Sequence, residues 1–218
     1  LINPRSIVIV GGSNNIHKPG GKILQNILNG GFHGKVFVVN QKEDIVQDLP
    51  GFKNVDELPQ VDLAILAIPA RYCVDAVRVM AEKKGTKGFI IISAGFSEGN
   101  EEGLRMEKEL VSIVENNGAT LIGPNCIGML TPFYHGVFTT PIPKLSGNGC
   151  DLISGSGATA VFILESGMPK GLAFSNVFSV GNSAMIGVED FLEYMDETFD
   201  PVSSSRIKLL YIESIKDP

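Results

Sequence analysis

Three short stretches hold residue types whose spacing suits anion chemistry. The first is VIVGGSNN (8–15), a glycine turn at the end of an apolar run. Backbone N–H groups exposed at Gly11 and Gly12, followed by a helix N-terminus, would form a site for a phosphate or pyrophosphate. The motif is not the full G-x-G-x-x-G, so a tight turn without a ligand competes with this reading. A discriminator lies further on. A site for NAD wants an acid at the end of the second strand, to bind the ribose 2′-OH. This chain has Asn40, Gln41 and Lys42 there. A lysine suits a ligand with an extra phosphate, such as NADP or coenzyme A. Glu43 and Asp44 come slightly late, so NAD is disfavoured rather than excluded.

The second stretch is a set of three: AIPAR (67–71), ISAGF (92–96) and IGPNCIG (122–128). Each puts small residues or a proline just after an apolar run. In open α/β sheets ligands bind at the carboxyl ends of the strands. Small residues there let an elongated ligand lie close to the backbone. Any one of the three is ordinary turn chemistry; their order along the chain is the informative part. The third stretch is ISGSGAT (153–159), in which Ser154, Ser156 and the N–H groups of Gly157 and Ala158 could hold a phosphoryl group. It superficially matches the hydrolase elbow G-x-S-x-G. The spacing is wrong, however, and His17, His33 and His135 all precede it, whereas hydrolase order places the His last. No two histidines share a metal-ligand spacing, and no metal is expected. Cys126 is a thiol at a strand end, for which a buried, inert role is the commoner case.

The elements that must position these turns alternate. Strand-like runs occur at 6–10, 35–40, 61–69, 87–93 and 119–124. Helical faces fall between them: Ile23, Leu24, Ile27 and Leu28; Val74, Val77 and Met80; Leu104, Leu110, Val111 and Val114. This rhythm predicts a parallel sheet covered by helices on both faces. It breaks at 131–149, where Pro132, Pro141 and Pro143 and three glycines read as a linker or crossover. A second α/β unit then begins, with strands at 150–154, 172–182 and 207–213 and helices at 157–167 and around Val188–Met195. The expected division is 1–130, a Rossmann-like domain; 131–149, a connector; and 150–218, a second domain with an incomplete sheet. The chain does not begin with Met and stops just after a strand-like run, which reads as part of a longer polypeptide.

Composition narrows the class. With 218 residues the chain has room for one to two domains. It is 44% hydrophobic and 19% charged, which excludes intrinsic disorder. A net charge of −6 argues against a nucleic-acid or anionic-membrane surface. No apolar run approaches the ~20 residues of a membrane helix, and the N-terminus lacks a signal-peptide pattern. Cys73, Cys126 and Cys150 include no C-x-x-C, so a disulfide scaffold is not expected and the cytoplasm is the expected compartment.

The ordered set NPRSIVIVGGS, NGGFHGKVFVVN, VDLAILAIP, SAGFSE, GPNCIG, SGSGA, VFSVGN and LLYIES spans the whole chain. It resembles the α portion of NDP-forming (ADP-forming) acyl-CoA synthetases, relatives of succinyl-CoA synthetase. The resemblance implies a CoA-binding Rossmann-like domain followed by a flavodoxin-like ligase domain. It also implies a reaction, acyl-CoA plus NDP plus phosphate to acid, CoA and NTP, through an acyl phosphate and a phosphohistidine. By this resemblance Gly12, Ser13 and Asn14 cradle CoA phosphate and Lys42 sits near the nucleotide end. Pro69, Ala94, Gly95 and Phe96 line the CoA path, with Asn125 and Cys126 near the thiol end. Ser154, Ser156 and Gly157 stabilise the phosphohistidine, and Glu213 holds the histidine ring in one tautomer as a catalytic group. The Mg-nucleotide is expected on a partner ATP-grasp domain or subunit, the assembly is expected to be an oligomer, and its expected substrates are CoA and a small carboxylic acid or acyl-CoA, with no nucleic-acid or membrane partner. Two positions depart from the pattern: Gly155 stands where the family has Gln, and Gln41 where it has Pro. No histidine follows His135, so the phosphorylated histidine is expected beyond Pro218 and the chain alone is expected to be inactive. Two other readings stay open: a CoA-sensing module fused to an acetyltransferase, and an NAD(P)-binding oxidoreductase.

Overall fold

A computed structural model describes residues 1–215 of the chain. In chain order the elements are β1 (Ser6–Val10), α1 (Pro19–Asn29), β2 (Lys35–Val39), β3 (Ile45–Val46), β4 (Leu49–Phe52), β5 (Leu63–Leu66), α2 (Cys73–Lys84), β6 (Gly88–Ile91), α3 (Glu101–Asn116), β7 (Thr120–Ile122), β8 (Gly128–Leu130), β9 (His135–Val137), β10 (Cys150–Ser154), α4 (Gly157–Gly167), β11 (Phe174–Ser179), α5 (Val188–Glu197) and β12 (Ile207–Tyr211).

The first sheet runs β3-β4-β2-β1-β5-β6-β7. All its pairings are parallel except β3 with β4. Period-2 alternation explains its two covers. Ile7, Ile9, Leu63, Ile65 and Ile90 face α1 residues Ile23, Leu24 and Ile27. Val8, Val10, Ala64, Leu66, Phe89 and Ile91 face Val77, Met80, Leu110 and Val114 on α2 and α3. Helix boundaries follow local chemistry. Pro19 opens α1, Asn100 caps α3 by accepting from Gly103 N–H at 2.9 Å, and Gly85 ends α2 with φ of 65°. From β1 the chain goes first to β2 on one side, then to β5 on the other. The strand order therefore reverses between β1 and β5, which is where such sheets open a crevice.

The second sheet runs β12-β10-β11-β8-β9 and holds five strands. The sequence indicated three. The two extra strands, β8 and β9, come from 128–137, at the end of the expected first domain and inside the expected connector. β8 pairs antiparallel with both β11 and β9, and β9 forms the edge. Short strands amid Pro132 and Gly136 give too few residues to show a period. The same core cluster that holds Ile7 and Ile23 continues into Met129, Ile153, Phe178 and Phe191, so the two sheets share apolar packing. Asn26 on α1 adds a polar tie, donating to Val137 O at 2.6 Å. The expected second domain, 150–218, extends three residues past the described ones.

Candidate functional site

The carboxyl edge of the first sheet gathers the 11–14 turn, the 67–71 loop, the 94–98 loop and the 123–126 loop. At the first turn the glycines permit a close approach. A Cβ on Gly20, in the first turn of α1, would lie 2.1 Å from Gly11 O. Helix α1 can pack against the turn only because that position is bare. The N–H groups are less free than the sequence indicates. Gly11 N donates to Val39 O at 3.0 Å, and Asn14 N donates to the Glu43 carboxylate at 3.3 Å. Glu43 also accepts from Asn40 Nδ2 at 3.1 Å. An acid therefore does reach this turn, from just beyond the second strand. The Asn14 side chain is occupied by the β3–β4 hairpin: its Nδ2 donates to Ile45 O at 2.9 Å and its Oδ1 accepts from Gln47 N at 2.7 Å. Ser13 Oγ accepts from Asn15 N at 3.1 Å. Gly12 is buried, whereas Lys42 is exposed at the rim and its backbone N–H donates to Asn40 Oδ1 at 2.8 Å.

Pro69, Ala94, Gly95 and Asn125 are exposed along the same edge. Phe96 is not: its ring is fully buried in the core, so only its backbone reaches this edge. Cys126 is likewise buried. Its sulfur donates to Ile91 O at 3.4 Å, and burial pushes the thiol up to about 12. A thiol held so far from ionisation is inert as a nucleophile at neutral pH.

The second sheet meets this edge at a cavity of about 400 Å³. Asn125, Cys126 and Ile127 line it from the end of the first sheet's last strand; Gly155, Ser156, Gly157 and Ala158 line it from the start of α4, and Glu213 from the end of β12. Ile92 and Phe138 close it. Ser156, Gly157 and Ala158, singled out at the glycine-serine turn, and Asn125, Cys126 and Glu213, which the family resemblance implies, therefore line one cavity from three separate elements. Ser156 caps α4, its Oγ accepting from Thr159 N at 3.3 Å. That leaves its hydroxyl hydrogen to donate into the cavity. Gly157 and Ala158, the first two helical residues, carry N–H groups with no intrahelical acceptor by position. Ser154 plays a different part. It is fully buried, donates to Ser156 O at 2.7 Å and accepts from Ser156 N at 3.2 Å. Its hydroxyl shapes the turn and does not face the cavity. None of the three histidines lines the cavity, and no cluster able to hold a metal occurs among the described residues.

A polar network that sequence reasoning missed ties these loops together. Its centre is Asn182, in the loop after β11, with Glu98 and Glu107 around it. Its signal lay in the quoted motifs SAGFSE and VFSVGN, which carry Glu98 and Asn182. Burial raises the Glu98 carboxyl, but the Asn182 amide and the N–H groups at Gly95 and Phe96 outweigh it, leaving the group below its ordinary range. A larger cavity of about 510 Å³ lies at the amino edge of the second sheet, closed by the ion pair of Asp151 and Lys208 at 2.5 Å. It lies away from the strand carboxyl ends and holds none of the residues above.

Comparison with known proteins agrees with this architecture. A family model described as a CoA binding domain matches residues 5–132, and one described as a succinyl-CoA ligase like flavodoxin domain matches 147–218. The chain is 38% identical, over its whole length and 46% of the relative's, to the α subunit of acetate–CoA ligase [ADP-forming] II from Pyrococcus furiosus. It is 34% identical to a trans-feruloyl-CoA synthase of unknown prokaryotic origin, across all of this chain and 31% of that one. A solved dinucleotide-forming acetyl-coenzyme A synthetase 1 from Ca. Korarchaeum cryptofilum, in complex with phosphate and ADP, superposes with a TM-score of 0.89 at 30% identity. That match covers 99% of this chain and 45% of the solved one. The chain spans less than half the length of these relatives. No helix among the described residues is long and apolar enough to cross a membrane. The chain belongs to the CoA binding domain family, in the arrangement of the α portion of ADP-forming acyl-CoA synthetases, where a CoA binding domain precedes a succinyl-CoA ligase-like flavodoxin domain.

Proposed function

We propose that this chain holds CoA and forms part of the ligase centre of an NDP-forming acyl-CoA synthetase. The overall reaction is acyl-CoA plus NDP plus phosphate to acid, CoA and NTP. The observation that carries the proposal is the 400 Å³ cavity, in which the loop after the first sheet's last strand faces the N-terminus of α4 and Glu213. CoA lies along the carboxyl edge of the first sheet. Its phosphates lie at Gly12–Asn14, with Lys42 near the nucleotide end; its pantetheine runs past Pro69 and the Ala94–Phe96 backbone, and its thiol end reaches Asn125. The acyl group thereby arrives in the cavity. Phosphate attacks the thioester carbonyl, the C–S bond breaks, and the products are acyl phosphate and the CoA thiol.

Charge builds on the phosphoryl oxygens at the Ser156–Ala158 turn. The N-terminus of α4 contributes about half a positive charge and unpaired N–H donors. The phosphoryl group then passes to a histidine brought to the cavity, releasing the acid. Glu213 accepts the ring N–H of that histidine, fixing its tautomer and making the other nitrogen the nucleophile. The nucleotide is handled by an ATP-grasp partner domain or subunit, with the assembly oligomeric and cytoplasmic. The test is NTP formation from acyl-CoA, NDP and phosphate by the full-length protein. Glu213→Gln should slow it by about 10²-fold or more while CoA still binds. Unchanged NTP formation in that variant would remove Glu213 from the mechanism.

A further inference from the structure

Asn182 stands where two loops of the proposed CoA path meet α3, although it belongs to the second sheet's side of the molecule. Its backbone N–H donates to Pro124 O at 2.9 Å. Its Nδ2 lies 2.5 Å from Glu98 Oε2, 2.9 Å from Glu107 Oε2 and 3.2 Å from Ser97 Oγ. Its Oδ1 accepts from Asn125 Nδ2 at 3.3 Å. One residue thus holds the 94–98 loop, the middle of α3 and the 123–126 loop at once.

The chemistry of the partners makes the amide difficult to replace. Glu98 and Glu107 are two carboxylates converging on one nitrogen, and neither forms an ion pair among the described residues. Glu107 is buried, with Ser97 Oγ donating to the same Oε2 at 2.8 Å. An amide NH₂ has two hydrogens, one for each carboxylate. Glu98 in turn accepts from Gly95 N and Phe96 N, fixing the backbone of the 94–98 loop. The neighbouring Gly181 makes the approach possible: its φ is 57°, and a Cβ there would lie 2.1 Å from Pro124 O.

We infer that Asn182 is a positioning residue for CoA, contributed across the boundary between the sheets, that sets the spacing of the 94–98 and 123–126 loops around the pantetheine. This rests on the proposed CoA path. Its consequence is local. The adenosine end lies at the 11–14 turn, on strands Asn182 does not touch, so losing the amide weakens the grip on the pantetheine and leaves the grip on the nucleotide end.

The experiment is calorimetric titration of the full-length protein with CoA and, separately, with adenosine 3′,5′-bisphosphate, which lacks the pantetheine. Asn182→Ala should weaken CoA about tenfold and leave the bisphosphate within about twofold. Asn182→Asp, which replaces the shared donor by a third carboxylate, should weaken CoA further. Asn182→Ser, which keeps one short donor, should fall between Ala and the parent and serves if the Ala variant does not fold. Equal loss for both ligands, or no loss for CoA, overturns the inference. A parent protein that binds neither ligand overturns the proposed CoA site itself, and this inference with it.

Discussion

Two strand-to-helix turns of glycine and serine, 11–14 and 154–158, are the ones proposed to hold phosphate groups. They dispose of their N–H groups in opposite ways. In the first, Gly11 N–H is taken by Val39 O and Asn14 N–H by Glu43, and α1 begins only at Pro19. In the second, α4 begins at once at Gly157 behind its Ser156 cap, and its first two residues line a cavity. A ligand at the first turn must compete with the chain's own carboxylate and gains from close packing. A ligand at the second meets a bare helix end. No Lys or Arg lies between Lys144 and Lys170 to help it. Such a site suits an anion delivered at high effective concentration, as on a tethered phosphohistidine, better than free phosphate.

The largest effect should come from placing charge in the second turn. Ser156→Glu should abolish NTP formation by the full-length protein, because a carboxylate then fills the anion position, while CoA binding at the first turn stays intact. Assaying both in one variant separates the turns; near-normal NTP formation would make the second turn merely structural. Next comes shape at the first turn. Gly20→Ala forces a Cβ against Gly11 O and should cost about 1–3 kcal/mol in denaturant unfolding, with weaker CoA binding. A variant as stable as the parent would show that α1 has room to retreat. A smaller change, of opposite sign, is expected from Glu43→Gln. Removing the competing charge should tighten CoA a few-fold in calorimetry, and weaker binding would show that Glu43 supports the ligand instead.

The smallest effect concerns His135, away from both turns. Its ring lies against Gly30, and burial holds its pKa below the ordinary value of 6.5. The folded state thus favours the neutral ring. The contribution is fully present above the unfolded pKa and is lost as pH falls through the folded one. Thermal unfolding should shift to lower temperature as pH falls below about 6.5, and His135→Gln should flatten that slope. A parallel slope in the variant would assign it to other groups.

The alternating strands and helices were legible because each buried run is long enough to show its period. The hairpin β3–β4 and the pair β8–β9 were not. Strands of two to four residues containing Pro50, Gly51 or Gly136 carry no measurable alternation, and antiparallel partners are set by tertiary approach. The turns themselves were visible as Gly, Ser and Pro after apolar runs. What their side chains do was not. Whether Asn14 faces a ligand or the hairpin, whether Ser154 faces the cavity or its own turn, and where Glu98 turns its carboxylate depend on neighbours far along the chain. Asn182 lies 84 positions from Glu98, and no local pattern links them.

What the first turn holds decides the function. Titrating the protein with CoA and with NAD⁺ under identical conditions tests it directly. Saturable CoA binding, weakened in Gly20→Ala, with no measurable heat from NAD⁺, is the expected result. Tight NAD⁺ binding with none for CoA would contradict it, and would make Glu43 a partner of the ribose hydroxyls.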